Sequence, residues 1–506
     1  MDKNRVVANA VMTSAYVVVN ACILFILYKF VLRTIGVERL GIWSLVLASV
    51  SIGSVVQLGF SGSVVKFVAK YLALEGENAV VHVIQTAVIS IALFIGAVLL
   101  ILYPFARWFL SLLIAETSLP EAIAALPYAL LSVWLSLVGY VYQSTLNGFQ
   151  FIAYRNLVLI LVSLIQLLLV FVLVPAYGIL GLAYSQVVQT ALTLILSAGI
   201  LKWLCPLMPL FPRRWDSRLF REMLGYSLSM HVVSICEMIL DPITKVLMAK
   251  FGGLAMTGFY DLASRMMLQL RELIVQANEV LVPTVAGLLE KNRGTIEKIY
   301  RDSYALNCFF SIPFYTLIVV SAPFISRLWL DYYEDSFITF CVILSAGWFA
   351  NTISTPALVI QLGIGELRGL LVGSLTMVGA NVALGVALGL LYGGPLVVAA
   401  WSVSRIIASL IITQSYHYEN HVPLKDLFPR QNISLMVGSG IVLLGFFAIV
   451  SIMPYRDLNP AVFASTVGFL YVGTLSFPIW LHPVRRRLSA YLADELIKRL
   501  KFQGSR

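Results

Sequence analysis

Residues 225–283 read GYSLSMHVVSICEMILDPITKVLMAKFGGLAMTGFYDLASRMMLQLRELIVQANEVLVP, and they determine how the rest of the chain is interpreted. The stretch contains two apolar runs, each long enough to cross a bilayer as a helix. Charged residues interrupt both runs: Glu237, Asp241 and Lys245 lie in the first, and Asp261 and Arg265 in the second. A charge at membrane depth is costly unless it faces a protein interior or water. The stretch therefore predicts a pathway for a substrate or an ion.

The charges of each run share one face of a helix, because they are spaced four residues apart and can pair along that face. Two interpretations remain open for each pair: a neutral salt bridge that fixes helix packing, or a site that couples transport to an ion. The sequence places no lysine or arginine within one helical turn of Glu237. Burial would favour its neutral form, which makes it the better candidate for a protonatable site. The residues predicted to act in ion coupling are Glu237, Asp241, Lys245 and Asp261.

The composition is that of a membrane protein. Of 506 residues, 60% are hydrophobic and 12% are charged, whereas about a quarter of the residues in soluble domains are charged. The mean hydropathy is +0.90. The net charge of +10 does not indicate a nucleic-acid partner, because no segment is long and polar enough to form a basic face on a soluble domain. Five scattered cysteines without CxxC spacing predict neither a disulfide framework nor a metal site.

Hydropathy predicts an all-α polytopic membrane protein with about fourteen transmembrane helices, arranged as two six-helix lobes and a C-terminal helix pair. The predicted domains are an N-terminal lobe at 1–204, a cytoplasmic linker at 205–224, a C-terminal lobe at 225–421, an extra helix pair at 422–482 and a basic cytoplasmic tail at 483–506. Lysine and arginine are concentrated in alternate loops, which predicts that both termini are cytoplasmic. The leucines of the tail, four residues apart among basic residues, are typical of a helix on an anionic membrane surface. A solubilising basic tail is the alternative.

An internal repeat relates the two lobes. Gly36 and Gly41 in IGVERLGIW match Gly253 and Gly258 in FGGLAMTGFY, and the same offset separates both pairs. That offset also aligns AYSQVVQTA, from residue 183, with AWSVSRIIA, from residue 400. Two pairs of similar segments with one offset predict two lobes in parallel orientation, related by an axis along the membrane normal. This is a common plan among transporters.

The deeply placed charges all belong to the second lobe, since the acidic residues before residue 217 lie in predicted loops or at the ends of spans. The spans of the first lobe offer only neutral polar side chains. Two arginines of the second lobe suit a phosphate, because a guanidinium stays charged and can bind two oxygens at once. The residues predicted to bind the substrate are Arg265, Arg405, Asn20, Gln57 and Gln186.

The chain resembles the Wzx-type polysaccharide flippases of the multidrug/oligosaccharidyl-lipid/polysaccharide exporter superfamily. The resemblance covers essentially the whole chain and is carried by LRTIGVERLGIWSLVLASVSIGSVVQLGFSGSVVKFVAKY at 32–71, by FGGLAMTGFYDLASRMM at 251–267, and by the number of spans. It implies a protein of the bacterial inner membrane that turns a lipid-pyrophosphate-linked oligosaccharide, typically on undecaprenyl, from the cytoplasmic to the periplasmic leaflet by alternating access. O-antigen units of lipopolysaccharide are typical cargo, and a polymerase and glycosyltransferases of the same pathway are implied partners.

The resemblance also assigns a role to Arg265. Related lipid II flippases carry a Tyr-Ala-Asp-Arg-Leu stretch in span eight, whose arginine lies in the central cavity, and the matching stretch here runs from Asp261 to Arg265. This sequence has Ser264 where the relatives have an acid, and it lacks their basic cluster in span one. These departures favour a glycan without the carboxylates of a peptidoglycan precursor.

Two other function classes fit the sequence less well. A drug or cation antiporter of the same superfamily usually has twelve spans and an acid in span one, and here no acid lies between Asp2 and Glu38. A membrane-embedded glycan polymerase or ligase should have a large, charged periplasmic loop, which is not predicted. No Walker motif and no nucleophile with its base are found, so the sequence predicts a transporter and not an enzyme. No cofactor is predicted, and coupling would be to a Na+ or H+ gradient.

Overall fold

The regular structure in the described part of the chain is helical throughout, which confirms the predicted all-α membrane fold. The structure is a computed structural model. It describes residues 3–51, 64, 67–68, 71, 76–209, 212–224, 228–279, 293–364, 366–423, 430–452 and 459–486. The principal helices are α1 (Lys3–Ser51), α2 (Glu77–Leu113), α3 (Leu119–Gly148), α4 (Ile152–Tyr177), α5 (Ile179–Leu204), α6 (Ser217–Leu224), α7 (Leu228–Glu279), α8 (Arg293–Leu330), α9 (Asp335–Ile364), α10 (Arg368–Tyr392), α11 (Pro395–Glu419), α12 (Ile433–Ile452) and α13 (Pro460–Leu481). A short 3₁₀ helix, Arg430–Asn432, precedes α12.

Eleven of these helices are long and apolar enough to span a membrane, in the part of the chain that is described. They include α1, which has 49 residues. The 52-residue α7 is not among the eleven, as expected from the charges inside it. A straight helix of this length would extend about 75 Å, more than twice the thickness of a hydrocarbon core. Both helices must therefore contain more than one crossing segment.

The chain of α1 reverses direction at Gly36, which has φ of 81° and ψ of 169° inside an otherwise helical segment. Leu24 precedes this break and Leu47 follows it, yet both line the same cavity, together with Tyr28 and Trp43. In a straight helix Leu24 and Leu47 would lie about 34 Å apart. The segments on either side of Gly36 therefore run back alongside each other, as the two predicted spans require.

The chain of α7 reverses in the same way at Gly253, where φ is 81° and ψ is −179°. Lys245 lies before this break and Asp261 after it, and their charged groups are 2.8 Å apart. In a straight helix the two residues would be about 24 Å apart. The reversals give α1 and α7 two segments each, in the order that the sequence predicted, although the second predicted span, 41–60, lies partly outside the described residues.

The predicted internal repeat is visible in the helix boundaries. The helices α9, α10 and α11 begin at one constant offset from α3, α4 and α5, taken in that order. This offset agrees to within a single position with the one that separates the two break glycines, and those glycines share the same φ of 81°. Agreement of three helix starts and one unusual backbone angle confirms that the two halves share one structural plan.

The two breaks also pack against each other through a reciprocal contact. A Cβ atom added at Gly41 would overlap the carbonyl group of Leu254, and one added at Gly258 would overlap the carbonyl oxygen of Val37. Val37 and Leu254 are themselves equivalent residues, each directly following its break glycine. The contact is therefore symmetric in the repeat. Glycine is required at both positions because only a residue without Cβ lets one backbone approach the other so closely.

Two compact units are found, and the first contains the break of α7 and the charged residues of that helix from Glu237 to Arg265. Unit 1 comprises Met1–Gln269 and Val378–Ala400, and unit 2 comprises Leu270–Met377 and Trp401–Arg506. The divisions fall inside α7, α10 and α11, whereas the sequence analysis placed the main boundary at the linker 205–224. The predicted lobe boundaries stay a prediction.

The predicted extra helix pair belongs to unit 2. Its helices α12 and α13 pack on α8 in an apolar cluster that includes Val320, Val442 and Phe463. The hydroxyl of Tyr471 donates a hydrogen bond of 3.0 Å to the carbonyl of Pro313 in α8. The leucine-rich part of the predicted tail, from residue 487 onward, lies outside the described residues.

Candidate functional site

Four charged side chains from the two segments of α7 form one connected cluster. Lys245 Nζ lies 2.8 Å from Asp241 Oδ2 and 2.8 Å from Asp261 Oδ1. Arg265 Nε donates a hydrogen bond of 2.8 Å to Asp261 Oδ2. Both pairs that the four-residue spacing predicted are therefore formed. Lys245 joins them into a single network with two positive and two negative charges.

The four charges lie at matching distances from the reversal of α7. Lys245 and Asp261 are each eight residues from Gly253, and Asp241 and Arg265 are each twelve residues from it. At the helical rise these positions are about 12 and 18 Å from the reversal. A hydrocarbon core is about 30 Å thick, so charges at these distances lie near its middle when the reversal is at its surface. Antiparallel pairing about the glycine brings the opposite charges together there.

The two carboxylates of the cluster differ in exposure. The side chain of Asp261 is completely buried, whereas that of Asp241 is 40% exposed. Asp241 also accepts a hydrogen bond of 2.9 Å from the Tyr260 hydroxyl and a longer one of 3.4 Å from Ser264 Oγ. Asp261 depends on its two cations for compensation, because a buried charge without partners is strongly destabilising.

Arg265 connects the cluster to a cavity of about 210 Å³ within unit 1. Its side chain is 33% exposed, and its guanidinium carbon lies 5.2 Å from the centre of the Tyr28 ring. Only Nε is used in the bond to Asp261. Four neutral polar side chains face the same cavity: Gln166, Ser185, Gln186 and Gln189. The site therefore combines a partly exposed, permanently charged donor with several neutral hydrogen-bonding groups.

The other predicted substrate residues of the first lobe have different outcomes. Gln186 lines the cavity with Arg265, as expected. Asn20 does not line it: its amide donates to Gln269 over 3.5 Å and accepts from Ser163 over 3.4 Å. Its groups are thus engaged in contacts between helices. Gln57 lies outside the described residues.

Glu237 does not meet the condition on which its predicted role depended. The sequence analysis expected it to be buried, but its side chain is exposed in the structure. It lies one helical turn before Asp241, on the side away from the reversal. Burial within unit 1 therefore gives no reason to expect Glu237 to hold a proton. Its exposure makes it accessible to an ion instead.

Arg405 belongs to unit 2 and is only 3% exposed. Its guanidinium carbon lies 4.4 Å from the ring centre of Trp348 and 4.8 Å from that of Trp401. Arg271 contacts the same Trp348 at 5.0 Å and donates a hydrogen bond of 2.8 Å to Asn351. Cation–π contacts of this kind stabilise a desolvated guanidinium. The sequence predicted that Arg405 binds the substrate, and within unit 2 the structure places its guanidinium between two indoles.

Comparison with known families decides the class of the protein. The family described as polysaccharide biosynthesis protein matches residues 30–334, which is more than half of the chain. The chain belongs to this family. The match includes the reversal of α1, the whole of α7 and the charged cluster. The resemblance inferred from the sequence motifs is thereby confirmed.

Solved structures share the fold of this chain. The lipid II flippase MurJ, in an inward closed conformation, has a TM-score of 0.71 at 13% identity and covers 93% of this chain and 98% of its own. An inward-facing multidrug resistance MATE family transporter of the MOP superfamily has a TM-score of 0.67 at 14% identity, covering 79% and 94%. A Vibrio cholerae MATE transporter has a TM-score of 0.57 at 16% identity, covering 84% and 98%. At these identities the likeness concerns the fold.

The fold is therefore one that is shared by membrane transporters. The comparison with curated proteins gives no match.

Several residues of the candidate site were missed by the sequence analysis. Tyr28 and Trp43 line the cavity, and Tyr260 holds Asp241, although aromatic residues in an apolar helix usually indicate packing. The bridge from Lys245 to Asp261 was missed because the two are sixteen residues apart. A signal for it did exist, since both lie eight residues from a glycine already singled out by the repeat.

Proposed function

We propose that this protein moves undecaprenyl-pyrophosphate-linked oligosaccharide repeat units across the bacterial inner membrane, from the cytoplasmic to the periplasmic leaflet. Transport proceeds by alternating access and is coupled to a Na+ or H+ gradient. The observation that carries the proposal is the position of Arg265. Its guanidinium is partly exposed, lies near the middle of the hydrocarbon core and borders a cavity lined by neutral amides. Membership of a polysaccharide biosynthesis family supports a glycan cargo.

The physical problem of such transport is the pyrophosphate. Its charges would lose their hydration in hydrocarbon, at a cost of order 20 kcal/mol per ion by an idealised continuum estimate. A guanidinium and neutral amides can replace part of that hydration, since Arg binds phosphate through two parallel hydrogen bonds. The lipid chain needs no such replacement and can remain in the bilayer. Arg265 and the glutamine amides are therefore assigned to the pyrophosphate and the first sugars.

Removal of this cation should abolish export. We expect Arg265→Ala to insert and fold but to lose glycan translocation, because the pyrophosphate then has no charged partner in the cavity. The measurement is glycan on the outer leaflet of reconstituted vesicles that an added lectin or glycosidase can reach. Arg218→Ala, an exposed arginine of α6, is the matched control and should translocate normally. Full export by Arg265→Ala would contradict the proposal, as would transport of drug cations in place of the glycan lipid.

The coupling ion is assigned to the accessible acids. Asp261 is completely buried between two cations, whereas Glu237 is exposed and Asp241 is 40% exposed, so an ion can reach the last two. We expect Glu237→Gln to change the dependence of transport on the Na+ or H+ gradient more than Asp241→Asn does, since Asp241 is already held by Lys245 and Tyr260. Transport by gradient-clamped vesicles measures this. Identical gradient dependence in both variants and the native protein would remove the assignment.

A further inference from the structure

The buried Asp261 carboxylate contacts one more cation than its own charge requires. Asp261 is completely buried and presents one oxygen to each of two cations, Oδ1 to Lys245 and Oδ2 to Arg265, both at 2.8 Å. A single arginine would neutralise this carboxylate equally well in the resting protein. The presence of two partners therefore needs a reason.

The two cations differ in what they can reach. The side chain of Arg265 is 33% exposed and borders the cavity, whereas that of Lys245 is 9% exposed and is not among the lining residues. Lys245 is also held by Asp241, its neighbour on the same helical turn. Arg265 can thus leave Asp261 for a ligand in the cavity, whereas Lys245 remains bound to Asp261.

An exchange of partners has an electrostatic consequence for Asp261. When Arg265 turns from Asp261 to a phosphate, a carboxylate with no second cation would be left buried and uncompensated, which strongly opposes the movement. With Lys245 in place, the carboxylate keeps a partner at 2.8 Å throughout. The guanidinium can then bind the phosphate without first breaking the only compensation of a buried charge.

We propose that Lys245 is a positioning residue for phosphate capture. It keeps the charge of the buried Asp261 carboxylate compensated, so that Arg265 can move from Asp261 to a phosphate group in the cavity. This rests on the proposed function, since it presupposes a phosphate-bearing ligand for Arg265. It extends that function by assigning to Lys245 a role in the affinity for the anion, and it assigns Lys245 and Asp261 to anion capture in place of ion coupling.

The internal repeat supports the proposal independently. At the offset that relates Gly36 to Gly253, the equivalents of Lys245, Asp261 and Arg265 are Tyr28, Ser44 and Ala48. The first repeat therefore lacks the exchanging arginine, the buried acid and the retaining lysine together. If Lys245 served only to hold the two segments of a reversing helix, α1 would need an equivalent, yet α1 reverses without one.

The test measures binding of geranylgeranyl pyrophosphate to the full-length purified protein in detergent micelles. Lys245→Met should weaken binding by about tenfold or more, because Asp261 then retains Arg265. Lys245→Arg, which keeps the charge, should stay within about threefold of the native protein. The double variant Lys245→Met with Asp261→Asn should also return to within about threefold, since no buried charge is left to hold the guanidinium. Lys250→Met, an exposed lysine of the same helix, is the matched control and should bind normally.

Two results would overturn the proposal: native affinity in Lys245→Met, or a double variant as weak as Lys245→Met alone. Rescue by Asp261→Asn separates positioning from a structural role, because a second buried substitution would only add to a folding defect. If Lys245→Met does not fold, Lys245→Gln takes its place, since it keeps hydrogen-bond donors without the charge. Arg265→Ala distinguishes a failure of the proposed function from a failure of the role assigned to Lys245. If Arg265→Ala binds the probe normally, the proposed function fails; if Arg265→Ala loses binding and Lys245→Met does not, only the role of Lys245 fails.

Discussion

The reversing helices α1 and α7 have the same backbone plan and different side chains at its centre. Each reverses at a glycine with φ of 81°, and the two glycines occupy equivalent positions of the repeat. Around the reversal of α7 lies a cluster of four charges, whereas the equivalent positions of α1 are occupied by neutral side chains. The equivalent pairs, α1 residue first, are Leu24 and Asp241, Tyr28 and Lys245, Ser44 and Asp261, and Ala48 and Arg265. The comparison shows that the backbone reversal does not depend on the charges, so the charges are there for another purpose.

The first and largest expected difference concerns the buried acid. Asp261→Ala should lower the free energy of unfolding by about 3 kcal/mol, the low end of the range for breaking a buried ion pair, because Lys245 keeps Asp241 as a partner. The equivalent change in α1, Ser44→Ala, should have almost no effect, since Ser44 Oγ is buried without a hydrogen-bond partner among the described residues. Unfolding of both variants in mixed micelles provides the measurement. Equal losses would mean that the two centres have the same structural role and would break the comparison.

The second expected effect concerns the reciprocal contact of the two breaks. Gly41→Ala and Gly258→Ala should each cost about 1–3 kcal/mol, because the added methyl group meets a backbone carbonyl that cannot move aside like a flexible side chain. The two losses should be similar, and they should not add in the double variant, since either substitution alone separates the same surfaces. Thermal unfolding measures both.

A matched control for these glycines exists in α5. A Cβ atom at Gly199 has no neighbour within 4 Å, and Gly199→Ala should leave stability unchanged or raise it slightly, since alanine favours the helix. Strongly unequal losses at Gly41 and Gly258 would show that the contact is symmetric in geometry but not in energy.

The smallest expected effect concerns the break glycines themselves. Gly36→Ala and Gly253→Ala place a Cβ where no atom lies within 4 Å, so the whole cost is that of the backbone conformation. We expect about 1 kcal/mol or slightly more for each, the low end for a residue held in a glycine-only region. The same φ of 81° at both positions predicts equal costs. Chemical unfolding can compare the two variants directly, and a difference of more than about 1 kcal/mol would contradict the structural equivalence of the reversals.

The candidate site was predictable to the extent that helical spacing determines it. The pairs Asp241 with Lys245 and Asp261 with Arg265 follow from a separation of four residues, and both are formed. The predicted placement of Gln186 beside Arg265 is also found. The position of a side chain relative to neighbouring helices did not follow from the sequence, and the roles assigned to the next three residues stay predictions. Glu237 is exposed, Arg405 lies between two tryptophans of unit 2, and Asn20 is engaged away from the cavity.

The sequence by itself determined the all-helical membrane class, the repeat and the ion pairs within single helical segments, because hydropathy and helical periodicity are local properties of the chain. Only the tertiary structure decided that Lys245 reaches Asp261, that Tyr28 lies beside Arg265, and that glutamines of α4 and α5 complete the cavity. These contacts depend on the reversal at Gly253 and on the packing of separate helices. A reversal joins residues that are distant along the chain, and helical spacing carries no information about which of them will meet.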